Sequence, residues 1–158
     1  MLTVRRAEPR DIPRLLELLL QVNMVHHEGR PDLFRGPTTK YSEAELAALL
    51  DDDRKPVFVC SDETDRVLGH CFCQLLGFPQ GHRLMEPVQT LYVDDICVDE
   101  SARGRGVGRA LYEFILGFAR EQGCYNVQLT VWSCNPGAQR FYEAMGMDVQ
   151  KLGMETIL

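Results

Sequence analysis

The chain lacks an apolar run long enough to cross a bilayer. A span needs ~20 residues, and the longest helical candidate, Leu15 to Val22, is broken by Glu17 and Gln21. It also lacks the apolar stretch of a secretion signal, because Arg5 and Arg6 follow directly on Met1-Leu2-Thr3-Val4. Basic residues are in deficit: 17 Lys and Arg stand against 23 Asp and Glu, a net charge of −6. A basic face of the kind that grips nucleic acid is therefore not expected, and the balance suits a cationic or neutral small partner. Paired CxxC spacings of structural zinc sites are missing as well. The cysteines Cys60, Cys71, Cys73, Cys97, Cys124 and Cys134 fall mostly in apolar, strand-like runs, where a reduced thiol behaves as a small hydrophobe. Even with His70 beside Cys71-x-Cys73, no metal site is expected. These absences point to a cytoplasmic chain with no nucleic-acid, membrane or metal partner. What is present is ordinary globular composition, 45% hydrophobic and 25% charged over 158 residues, enough for one domain spanning 1–158 with a core that needs no staples.

Along the chain the pattern reads as alternating elements. Thr3 to Arg6 is an opening strand. A helix follows, with Asp11 as its cap, Pro13 in its first turn and Ile12, Leu15, Leu16, Leu19 and Leu20 on its buried face. Gly29 to Pro37 is a loop, and Ser42-Glu43-Ala44-Glu45 is a capping box that opens a second helix. Strands are expected at Pro56–Cys60, Val67–Gly77, Gln89–Val98 and Asn126–Trp132. Helices are expected at Gly106–Gln122 and Pro136–Met145, each stopped by a glycine. The N-terminal half supplies antiparallel neighbours and the C-terminal half strand–helix–strand–helix, which together imply one mixed α/β sheet with helices packed on it.

The segment richest in chemistry runs from Asp94 to Leu111. A strand enters a loop with glycines at 104, 106 and 108, and that loop opens an amphipathic helix. A helix N-terminus offers unpaired N–H groups and partial positive charge, and glycine lets a phosphate come close to the backbone. Arg103, Arg105 and Arg109 add charge at the same point. A dinucleotide loop is excluded because Arg109 stands where its third glycine belongs, and a Walker loop because no Gly-Lys-Ser/Thr is present. Arg-x-x-Gly-x-Gly remains, formed by Arg103, Gly106 and Gly108; a glycine turn that merely ends a strand is the plainer alternative. Further on, Asn135, Ala138, Tyr142 and Gly146 are spaced as N-x-x-A-x-x-x-Y-x-x-x-G, with Met147 next.

These two signatures, in this order, resemble those of the Gcn5-related N-acetyltransferase (GNAT) family, with Met147 where the family usually has Phe. The resemblance implies a GNAT-like single domain: a mixed, mostly antiparallel sheet with a bulged, splayed central strand pair and helices on both faces. It implies acetyl-coenzyme A as co-substrate and direct transfer of the acetyl group to a primary amine of a small molecule. A protein N-terminal or lysine acetyltransferase, or a non-catalytic acyl-coenzyme A-binding module, is the alternative. Carried over by position, the main chain of Ile96, Cys97 and Val98 would pair with the pantetheine arm. The loop Arg103, Gly104, Arg105, Gly106, Val107, Gly108 and Arg109 would take the pyrophosphate, and Asn135 would orient the arm. Tyr142 would be the general acid and Asp94 the general base, with Asp95 a structural neighbour facing the other way. His26, His27 and Glu86 are candidate acceptor contacts. The closing run Lys151–Leu158 would either finish the sheet or pair two copies into a homodimer.

Overall fold

The computed structural model describes all of residues 1–158. Five strands form one sheet in chain order: β1 (Thr3–Arg6), β2 (Val57–Ser61), β3 (Val67–Gly77), β4 (Gln89–Val98) and β5 (Asn126–Leu129). The first four are antiparallel to their neighbours. The last runs parallel to β4, because helix α3 (Val107–Glu121) crosses over between them. Helices α1 (Ile12–Gly29) and α2 (Glu43–Leu50) precede β2, and α4 (Pro136–Ala144) follows β5. The expected α/β class is the one the chain adopts.

Alternation along the strands divides the core in two. Phe58, Cys60, Cys71, Cys73, Leu91 and Val93 face α3, whose Val107, Leu111, Ile115 and Ala119 recur every four residues on one side. Val57, Val59, Phe72 and Cys97 face the opposite way, onto Ile12, Leu15, Leu18 and Leu19 of α1 and Leu46 of α2. Helices thus cover both faces. Ser42 and Glu45 form the capping box that starts α2. Cys60, Cys71, Cys73 and Cys97 are free and buried, whereas Cys134 is exposed.

Several expectations are corrected. Asp11 does not cap α1. Its carboxylate takes two hydrogen bonds from Arg5, at 2.7 and 2.9 Å, and one from the Glu8 amide at 2.8 Å. On α1 the buried stripe includes Leu18, and Leu20 is exposed. β5 stops at Leu129 instead of Trp132, since its pairing with β4 ends at Val93–Leu129. The closing run adds no strand: residues 148–158 are irregular and exposed, with Glu155 paired to Arg30 at the end of α1. The splayed pair β4/β5 therefore lies at the edge of the sheet and not at its centre.

Candidate active site

The site begins with a count. β3 pairs Phe72 with Asp95 and Cys73 with Val93, so Asp94 is an extra residue in β4 without a partner. Such a bulge bends a strand and resets its alternation. Val93, Ile96 and Val98 all pack on the α3 side while Cys97 packs against α1. Asp94 and Asp95 stand between these two phases, and both reach the cleft. The expectation that adjacent strand residues must face opposite sides fails here because the extra residue cancels it.

Beyond the bulge β4 continues to Val98, but β5 has ended. The gap between them is a cavity of about 300 Å³. Asp94, Asp95 and Ile96 form one wall and Leu129 to Trp132 the other; Asn135, Ala138 and Tyr142 of the α4 end complete it. Cys97 lies outside the cavity, its thiol directed at the Leu18 carbonyl, and Val98 packs on the core beneath α3. Neither side chain lines the gap.

Below the gap, Asp99 accepts from the Ser101 amide and hydroxyl, both at 3.0 Å, and pairs with Arg14 of α1 and with Arg66. This anchors the turn that leads to α3. The Arg103 and Arg105 amides are taken by the Glu100 and Ala102 carbonyls, and the Ala110 amide bonds Gly106 O at 2.9 Å. The N–H groups of Val107, Gly108 and Arg109 remain at the open helix mouth, as helix geometry requires. Gly104 and Gly106 have φ of +77° and +82°, where a side chain is strained, and a Cβ on either would stand in open space. Gly108 serves packing too: a Cβ there would lie 3.3 Å from the Phe141 ring. Arg103 and Arg109 are exposed beside the mouth, partnered only by Glu100 and Glu113 at 3.9 and 3.5 Å. Three free amides, two left-handed glycines and flanking cations fit a diphosphate.

At the upper end of the gap, Asn135 caps α4 by accepting from the Ala138 amide at 3.3 Å. Its carboxamide nitrogen remains free to donate. Tyr142 is buried against Phe141 and Tyr112, and burial raises its phenol above the ordinary value, so it keeps its proton. Burial also raises Asp95, to about 7, against the lowering pull of Lys40.

A second cavity of about 400 Å³ shares Asp94, Asp95, Val22, His26 and Trp132 with the first. Phe34, Thr38 and Lys40 extend it, from the loop between α1 and α2. His26 lines both cavities and stacks on Phe34, with ring centroids 5.0 Å apart; burial and the nearby Lys40 lower its pKa. His27 lines neither cavity. Its Nδ1 lies 2.7 Å from the Phe34 carbonyl oxygen and holds the loop. Glu86 also lies outside both, in the exposed hairpin at the far end of β4, with four residues and roughly 17 Å of strand between Gln89 and Asp94. Lys40, Phe34 and Trp132 carry no local signature that marks them as site residues. Asp95 did carry one: the apolar positions Leu91, Val93, Ile96 and Val98 are spaced two, three, two, and the interval of three is the bulge.

Comparisons with known proteins agree with this geometry. The model of the Acetyltransferase (GNAT) family matches residues 22–147. Glucosamine 6-phosphate N-acetyltransferase of Trypanosoma brucei brucei is 30% identical, over 99% of this chain and 96% of its own. Mycothiol acetyltransferase of Renibacterium salmoninarum is 27% identical over 80% of this chain, which spans 36% of that protein. Among solved structures, a tetramutant of the BH1408 protein from Bacillus halodurans superposes with a TM-score of 0.93 at 30% identity, covering 99% of each chain.

Proposed function

The chain belongs to the acetyltransferase (GNAT) family and is an acyltransferase that draws its acetyl group from acetyl-coenzyme A; on that premise we propose that its acceptor is the primary amine of a small molecule. One observation carries this reading: the gap between β4 and β5 and the pocket beside α1 adjoin along a shared wall whose charged groups are Asp94 and Asp95, so a donor in one meets an acceptor in the other at two carboxylates. The α1–α2 loop closes the acceptor side to about 400 Å³, the scale of a small molecule. The Trypanosoma relative's named substrate, an amino sugar phosphate, is of that class.

Bound acetyl-coenzyme A supplies a thioester whose carbonyl carbon is open to an uncharged amine. The chain's own residues do the rest. The amides of Val107 to Arg109 hold the diphosphate, and the free edge of β4 from Ile96 offers main-chain partners to an extended arm. Asp95 receives the proton the amine must lose, since a carboxyl near pH 7 is half ionised under working conditions. Asp94, paired with Lys40, orients the amine. Tyr142 Oη holds a proton for the departing sulfur.

Thiol release from acetyl-coenzyme A with a panel of small primary amines tests the reading. In the wild type kcat/KM is expected to fall on the acid side with a midpoint near 7. Asp95→Asn is expected to abolish that limb, while Asp94→Asn lowers the rate and keeps it. A limb that survives in Asp95→Asn assigns the base elsewhere. Gly106→Val is expected to weaken acetyl-coenzyme A binding by ~10-fold or more in titration calorimetry. A branched residue cannot hold φ near +82° without ~1–2 kcal/mol of strain, and relaxing that angle turns the amides away from the phosphates.

A further inference from the structure

The acceptor pocket contains an ion pair of its own. Lys40 reaches from the α1–α2 loop to the Asp94 carboxylate, with its ammonium 5.5 Å from the centre of the Tyr41 ring. The groups that face it are Asp94 and Asp95 from β4, Tyr41 from its own loop and His26 from α1. His26 is uncharged at neutral pH, because burial and then Lys40 lower it. Lys40 is therefore the one cation in the pocket lining at neutral pH. Burial alone would weaken its charge, but Asp94 outweighs that and its pKa is raised.

An aliphatic amine arrives at neutral pH as an ammonium ion, and it must come to the same two carboxylates. It enters ground that Lys40 already holds. A simple monocation can take Asp94 only by stranding the lysine beside another positive charge. An acceptor with an anionic group near its amine can exchange partners instead, its ammonium to the carboxylates and Lys40 to its anion, so that both ion pairs survive. The flexible four-carbon stem of lysine allows such a swing. The remaining wall suits a compact skeleton: Phe34 and Trp132 meet edge to face with centroids 5.1 Å apart, and Thr38 and Asn23 supply uncharged polar groups.

We propose that the acceptor is a zwitterion, a primary amine that also carries a phosphate or carboxylate, and that Lys40 is the residue that selects it. This rests on the acetyltransferase reading above. Lys40 acts here as a specificity and positioning residue.

Two matched pairs of acceptors test it by thiol release: glucosamine 6-phosphate against glucosamine for the phosphate arm, and β-alanine against β-alaninamide for the carboxylate arm. In at least one pair the wild type is expected to prefer the anionic member by roughly tenfold or more in kcat/KM, carried by KM, as one exchanged ion pair allows. At a pH above the acid limb of both enzymes, Lys40→Met should erase that preference by slowing the anionic member alone, and Lys40→Arg should restore part of it. The acid limb should also move to higher pH in Lys40→Met, because Lys40 holds Asp95 down. Preference for the member without the anionic group in both pairs, or equal slowing of both members by Lys40→Met above the acid limb, overturns the proposal and leaves the acetyltransferase reading intact. No thiol release with any amine overturns both.

Discussion

Tyr142→Phe is expected to lower kcat about 10²- to 10⁴-fold, the usual contribution of a positioned acid, with acetyl-coenzyme A affinity changed by no more than about twofold. The residue lies on α4, where its ring joins the core beside Phe141 and Tyr112, with centroids 5.2 and 6.3 Å away. Phenylalanine keeps that packing, and Tyr142 lines the cavity with no hydrogen bond from its side chain, so the change removes a proton donor and little else. Burial, with lesser contributions from Cys71 and Asp95, raises the phenol, so Tyr142 carries its proton across the neutral range. Saturating rates of thiol release, together with calorimetric titration of acetyl-coenzyme A, separate the two effects. An unchanged kcat would mean that the leaving sulfur takes its proton from elsewhere and that Tyr142 only packs.

The second large effect concerns stability against pH. His70 is wholly buried in β3, neither ring nitrogen has a partner, and burial lowers its pKa from 6.5 to about 3. Between those values the unfolded chain binds a proton that the folded chain refuses, so His70 makes stability fall as pH drops below 6.5. Asp95 has the opposite sign. Its carboxyl is raised from 3.8 to about 7, so the folded chain holds a proton there that the unfolded chain has released, and stability falls as pH rises from 4 to 7. Each single proton contributes a slope of about 1.4 kcal/mol per pH unit, and across pH 4 to 6.5 the two slopes oppose. His70→Leu should therefore uncover the Asp95 slope, with stability falling towards neutrality. Asp95→Asn should uncover the His70 slope, with stability falling towards acid. Against the wild type each difference should grow to several kcal/mol across its window, at most about 5 for His70. Urea midpoints measured from pH 4 to 7 check this; curves that stay parallel to the wild type would show that neither group is shifted as described.

These features differ in how far the sequence revealed them. Local chemistry was legible. The Ser42 capping box, the glycines at 104 and 106 and the limits of β3 and β4 depend on neighbours a few residues away. The fold class followed from the same local signals. What depends on distant partners was not legible. Asp11 takes Arg5 instead of capping its helix, β5 ends where β4 bends away, and the closing run stays off the sheet despite its apolar residues. In the candidate site, adjacency of Asp94 and Asp95 suggested opposite faces, whereas the deciding signal was the spacing of apolar residues around them. His27 and Glu86 were singled out by residue type alone, and only folding shows that one props a loop and the other stands at the wrong end of its strand.

The extra residue in β4 makes chain length, more than side-chain identity, the fixed quantity between Val93 and Ile96. Asparagine at either carboxylate preserves the backbone path. Deleting one of the two would close the bulge and restore plain alternation, with Ile96, Cys97 and Val98 keeping their partners on β3; what would be lost is one of the two carboxylates at the cleft and the bend that parts β4 from β5. Drift that exchanges residues in this short stretch therefore keeps the cleft, whereas drift that changes their number closes it.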